Sequence, residues 1–223
     1  MCKIVILQVK IYIKTYIYKM SLILRLSILY HSYFDFYCIT RKLIGARYFY
    51  KGFLASPSGG KGLHNVSFNS ARDIDGHGTH TLSTAGGNFV ANASVFGYGN
   101  GTLSGGSPKA RVVGYKVCWT LDNGCFDADI LAAFEASISD GVDVLSVSLG
   151  SDQVEYYETG SSIGSFHAAA NGITVVSAAT NYGPYLSSVG NLEPWVFTVA
   201  ASTIDRELTS FVTLGDNKTL KVY

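Results

Sequence analysis

Two histidines three residues apart stand among glycines and threonines in Asp73–Thr84, DIDGHGTHTLST. Imidazole titrates near neutrality, so a held histidine can take and return a proton at physiological pH. Gly76 and Gly78 flank His77 without side-chain bulk and let main chain approach the ring. Thr79 to Ala85 can continue as a helix, which puts His77 on its first turn. There, at the edge of an α/β sheet, His77 can serve as a general base. The same spacing also fits a polar turn with two exposed histidines, and spacing alone does not separate the two readings.

The four cysteines are Cys2, Cys38, Cys118 and Cys125. None forms a C-x-x-C pair, which argues against zinc or thioredoxin-type chemistry, and no metal or cofactor is expected. Cys118 and Cys125 flank Trp119–Gly124 (WTLDNG), a turn-rich hexapeptide. A reversing loop of that length can bring two Cα atoms within the ~4.4–6.8 Å that a disulfide requires. Such a short loop is worth ~2–3 kcal/mol in the chain-entropy account. Two free thiols are the alternative. Sequons at Asn65, Asn92, Asn100 and Asn217 tip the expectation to the bond, because four together lean towards glycosylation in an oxidising, secreted setting. Cys38 is then left without a mate.

The elements that must position these groups follow from periodicity. Ala110–Val117 (ARVVGYKV) is apolar and β-branched and reads as a buried strand. Asp127–Asp140 has apolar residues at helical spacing behind an acidic first turn, with Gly141 as its stop. Val142–Leu149 reads as a strand, Thr159–Asn171 as a helix ended by Gly172, and Ile173–Ala179 and Val196–Ala201 as strands. Continuously apolar strands alternating with helices predict an α/β fold, a mostly parallel sheet with helices on both faces.

The first 34 residues differ in character: rich in Ile, Tyr and Lys, with no acid. Basic residues at positions 10, 14, 19 and 25 interrupt any apolar run. That does not fit a signal peptide or a span of ~18–20 apolar residues. Residues 1–38 are expected to be an atypical leader outside the fold, and 39–223 the folded part. Composition sets wider bounds. Of the 223 residues 48% are hydrophobic and 15% charged, which is globular, and a net charge of +1 selects neither nucleic acid nor a membrane surface.

The string SARDIDGHGTHTLSTAGG resembles the histidine signature of the subtilisin-like serine proteases, the plant-type subtilases in particular. Five further segments resemble the same family in order: KLIGARYF (42–49), KARVVGYKVCW (109–119), GCFDADILAA (124–133), DGVDVLSVSLG (140–150) and NLEPWVFTVAASTIDR (191–206). The resemblance implies that His77 is the general base and His80 structural. It implies that Asn181, in Thr180–Pro184 (TNYGP), donates its side-chain amide to the oxyanion of a tetrahedral intermediate. Taken alone, Asn181 reads as an ordinary turn residue before Gly-Pro. The resemblance further implies that Ser148, Leu149 and Gly150, with Ala179 and Thr180, line a groove binding a polypeptide substrate as an added strand. Ser148–Gly150 also reads simply as a strand end and turn. Thr180 departs from the pattern, which has glycine there, and so does Tyr182, where the pattern has a small residue.

The family's triad has the order Asp, His, Ser, with the aspartate in an apolar-Asp-small-Gly context and the serine in Gly-Thr-Ser. Neither context occurs here. Asp35, Asp73 and Asp75 do not fit the acid, and Ser202 and Ser210 do not fit the nucleophile. The leader stands where the aspartate strand is expected. The reading is therefore an incomplete catalytic domain of a serine endopeptidase, inactive as written. The alternatives are a catalytically dead peptide-binding module and a truncated product without function.

Overall fold

The structure is a computed structural model that describes residues 3–7, 42–57, 70–73, 75–119, 124–150, 154–204 and 206–222. Its centre is a six-stranded sheet. In chain order the strands are β1 (Lys3–Leu7), β2 (Leu43–Tyr48), β5 (Arg111–Lys116), β6 (Val144–Val147), β7 (Thr174–Ala178) and β8 (Phe197–Val199). Their spatial order is β2-β5-β1-β6-β7-β8, and every pairing is parallel. Two antiparallel hairpins lie apart from it: β3 (Val90–Val95) with β4 (Tyr98–Leu103), and β9 (Ser210–Thr213) with β10 (Thr219–Val222).

Among the described residues four helices lie between the strands: α1 (Lys51–Ala55), α2 (His77–Gly86), α3 (Asp127–Ser139) and α4 (Gly160–Ala170). Parallel neighbours need crossovers of this kind, because a tight turn can join only antiparallel strands. α3 ends at Asp140, and Gly141 takes the left-handed φ of 62° that closes its last turn. α4 begins at Thr159, whose hydroxyl accepts from the Ser162 N–H at 3.1 Å.

The core is one cluster. Tyr115 and Val117 from the β5 strand, Ile130 and Phe134 from α3, Leu145 and Val147 from β6, and Val175 from β7 are all buried in it. The predicted strands and helices occur, each shorter than its apolar run by between one residue (α3) and four (β6). One segment of the leader is a correction, the rest of residues 1–38 lying outside the described residues. Lys3–Leu7, expected to lie outside the fold, is an interior strand, Val5 pairing with Val113 on one side and Leu145 on the other. Its sequence, KIVIL, is what a strand hydrogen-bonded on both edges requires. Read in the leader as a whole, it was obscured by the lysines that follow.

α3 and α4 meet where Gly164 faces Phe134. A Cβ built on Gly164 would lie 2.3 Å from Phe134 Cδ2, and Phe134 is 1% exposed. Gly164→Ala is expected to destabilise the fold by about 1–3 kcal/mol through overpacking. Urea denaturation followed by far-ultraviolet circular dichroism checks this.

Candidate active site

His77 is the first residue of α2, and the glycine before it, Gly76, adopts φ 94°, a left-handed conformation closed to most side chains. No hydroxyl caps this helix from the usual position. The Asp73 carboxylate does so instead. Its Oδ1 accepts from the Gly76 N–H at 2.9 Å, and its Oδ2 from the Thr79 N–H and hydroxyl, both at 2.7 Å. A negative charge here also complements the helix dipole. The DIDGHGTH string is thus a cap as well as a chemical motif.

The His77 ring is half-buried, and its Nδ1 has no hydrogen-bond partner among the described residues. Burial lowers its pKa below the ordinary 6.5, with His80 adding to the lowering and Asp75 and Asp73 opposing it. The fold therefore holds a neutral imidazole, the form able to accept a proton. His80 is also half-buried and its pKa is likewise lowered by burial; its N–H donates to Gly76 O at 3.0 Å.

Ser148, Leu149 and Gly150 follow β6, while Ala179, Thr180 and Asn181 follow β7. Both segments lie at the carboxyl edge of the parallel sheet, where α/β proteins place their sites. The stretch leading into α2 lies at the same edge, since Lys116, the last residue of β5, donates to the Arg72 carbonyl at 2.7 Å. The sheet thus brings the histidine segment, the 148–150 segment and the 179–181 segment to one edge. A Cβ on Gly150 would meet Thr180 Cγ2 at 3.5 Å, so these two residues face each other. Asn181 is exposed.

Sequence reasoning missed Asn191. Its Nδ2 donates to Leu149 O at 2.6 Å and to Ala178 O at 2.7 Å. One amide therefore clips the ends of β6 and β7 together. The available signal was an asparagine directly after Gly190; its left-handed φ of 52° is something periodicity does not reveal. Cys118 and Cys125 are joined by a disulfide, with Cα atoms 4.3 Å apart. Asn92, Asn100 and Asn217 are exposed, Asn92 and Asn100 on the β3–β4 hairpin, and Asn65 lies outside the described residues. Among the described residues no cluster of His, Cys, Asp and Glu could hold a metal ion, and no helix is long and apolar enough to cross a membrane.

The sequence pattern of the Subtilase family matches residues 62–221. The chain belongs to that family. It is 60% identical over 184 residues to the subtilisin-like protease SBT5.4 of Arabidopsis thaliana, covering 81% of this chain and 23% of the relative. It is 56% identical to SBT5.3 of the same plant, covering 83% and 24%. It is 51% identical to the Glycine max subtilisin-like protease Glyma18g48580, covering 79% and 23%. The chain thus spans about a quarter of the length of these curated relatives. Among solved structures, the Prenylagaramide maturation protease PagA overlaps 35% of this chain and 29% of its own, with a TM-score of 0.30 and 19% identity, too slight to bear on fold or site.

In this subtilase Thr180 adopts φ 71°, a left-handed conformation that a β-branched residue rarely takes. Its hydroxyl donates to Ser188 O at 2.7 Å, which offsets part of the cost. Thr180→Val keeps the strained backbone and loses that bond, so it is expected to lower stability by about 1 kcal/mol. Thr180→Gly loses the same bond but relieves roughly 1–2 kcal/mol of backbone strain. It should therefore end at or above the wild-type denaturation midpoint, and urea titration of the pair checks the order.

The lowered His77 pKa has a sign. The unfolded chain binds the proton more readily below pH 6.5, so this contribution to stability is present above 6.5 and is lost as pH falls through the folded value. Asp73→Asn removes a charge that raises the His77 pKa, and should move its titration to still lower pH. Proton NMR of the imidazole C2–H resonances, with His80→Gln for assignment, measures the shift.

Proposed function

We propose that this chain is the histidine- and asparagine-bearing part of a secreted subtilisin-like serine endopeptidase that acts on polypeptides. The observation that carries this reading is His77. A half-buried imidazole whose pKa is lowered by burial begins a helix in the family's histidine motif, and its Nδ1 lacks a partner among the described residues. That nitrogen is the one an orienting carboxylate would engage in a triad.

In the intact enzyme a serine hydroxyl attacks the scissile carbonyl carbon. His77 accepts the hydroxyl proton and passes it to the leaving amine as the peptide C–N bond breaks. Water then hydrolyses the acyl-enzyme by the same proton path in reverse. Asn181 donates to the oxyanion, a charge that exists only in the intermediates and their flanking transition states. Substrate lies as an extended strand along Ser148–Gly150, with Ala179 and Thr180 opposite. Thr180 stands where the family has glycine, so the family's preference for the residue preceding the scissile bond is not carried over to this chain. The Cys118–Cys125 disulfide and the exposed sequons at Asn92, Asn100 and Asn217 support secretion and glycosylation.

Neither the Gly-Thr-Ser nor the apolar-Asp-small-Gly context occurs in the 223 residues, so the chain alone is proposed to be inactive. Purified chain should cleave an unstructured protein no faster than its His77→Ala variant, and a fluorophosphonate probe should label no serine. Cleavage above that control would overturn the inactivity. Within a full-length product bearing both contexts, His77→Ala should abolish cleavage. Asn181→Ala should cost about 10²–10³ in kcat, the loss that subtilisin itself shows on removal of its oxyanion asparagine. Full activity in either variant would overturn the assignment of that residue.

A further inference from the structure

Lys116 is 4% exposed, a setting that lysine almost never takes without a partner. Its Nζ donates to the main-chain carbonyl of Arg72 at 2.7 Å and reaches that of Ser70 at 3.5 Å. It also lies 4.2 Å from the centroid of the Trp119 ring. Trp119 is itself held in place, because its Nε1 donates to Phe49 O at 2.7 Å and its neighbour Cys118 is disulfide-bonded. The amine's donors are therefore directed at two carbonyls and an aromatic face.

Both carbonyls belong to the short stretch Ser70–Asp73 that delivers the chain to α2. These residues form no strand or helix of their own, so they have no ladder to hold them to the sheet. The next side chain along, Asp73, organises the first turn of α2 through Gly76 and Thr79. A continuous line of contacts thus runs from the carboxyl end of β5 through Lys116 to the Arg72 carbonyl, through Asp73 to the helix start, and so to His77. Packing alone does not call for a lysine here. Burial disfavours its ammonium and brings its pKa down to about 8, with Asp73 the charged group that opposes the fall.

We propose that Lys116 is a positioning residue for His77: its amine hooks the main chain of Ser70–Arg72 onto the carboxyl end of β5 and thereby sets where the first turn of α2 sits. The importance of the hook rests on the reading of His77 as general base. Its existence does not, and it can be measured without any cleavage assay.

The pH response has a definite sign. When the stretch lifts, Lys116 meets water and regains a pKa near 10.5; when it is seated, the value is about 8. The lifted state therefore binds the proton more readily between those values, and rising pH favours the seated state. The neutral amine keeps two N–H groups for the two carbonyls, so the hook survives deprotonation.

Hydrogen–deuterium exchange of the full chain, corrected for intrinsic rates and resolved by peptide, tests this. In wild type, protection of residues 70–80 should rise between pH 7 and 9 relative to β7. In Lys116→Met the same peptide should exchange about tenfold faster or more, as expected when a buried charge-assisted bond is lost, with β6 and β7 unchanged and the rise with pH abolished. The His77 imidazole resonances should move in the same variant. Unchanged protection of residues 70–80 in Lys116→Met would overturn the proposal. If that variant does not fold, the wild-type profile decides: a rise through pH 8 supports the hook, and a flat profile overturns it. Either result leaves the protease reading to be judged on its own assays.

Discussion

The sheet is continuous because one five-residue strand is hydrogen-bonded on both sides. Lys3–Leu7 pairs with β5 through Lys3–Arg111 to Leu7–Tyr115 and with β6 through Ile4–Val144 to Leu7–Val147. Without it, β2–β5 and β6–β7–β8 would be separate half-sheets, each with a bare interior edge of unpaired N–H and C=O groups. The alignment of three loop segments at one carboxyl edge depends on that pairing. It places the end of β5, which holds the histidine stretch, in fixed register with the ends of β6 and β7.

The demands of that slot are physical and undemanding. It asks for a short, apolar, β-branched segment, and KIVIL supplies one.

Much of the fold was legible in the sequence, because β5, α3, β6, α4 and β7 have unmixed hydrophobic patterns between clear stops such as Gly141 and Gly172. β1 was not, since five residues are too few to show a period against a basic background. The two hairpins were not, since β4 (YGNGTL) shows no apolar alternation and β10 (TLKV) is only four residues long, too short for Leu220 and Val222 to establish a period. At the site, the residue types of His77 and Asn181 and their motifs were visible. The main-chain engineering around them was not. The Lys116 contacts and the Asn191 clip are side-chain-to-backbone bonds between residues as far as 46 apart in sequence, and no local pattern encodes them; the Asp73 cap is local but comes from a residue outside the usual capping position.

The Asn191 amide has a consequence for how substitutions in this region combine. Leu149 O and Ala178 O, at the tips of two different strands, share one donor group. A change that pulls either carbonyl away alters the geometry available to the other. Energetic effects at the ends of β6 and β7 should therefore be non-additive in a double-mutant cycle, although the residues involved lie in separate segments of the chain. In the Asn191→Ala background the same pair of changes should become independent. The two strand ends are, in that sense, a single mechanical unit held by one side chain.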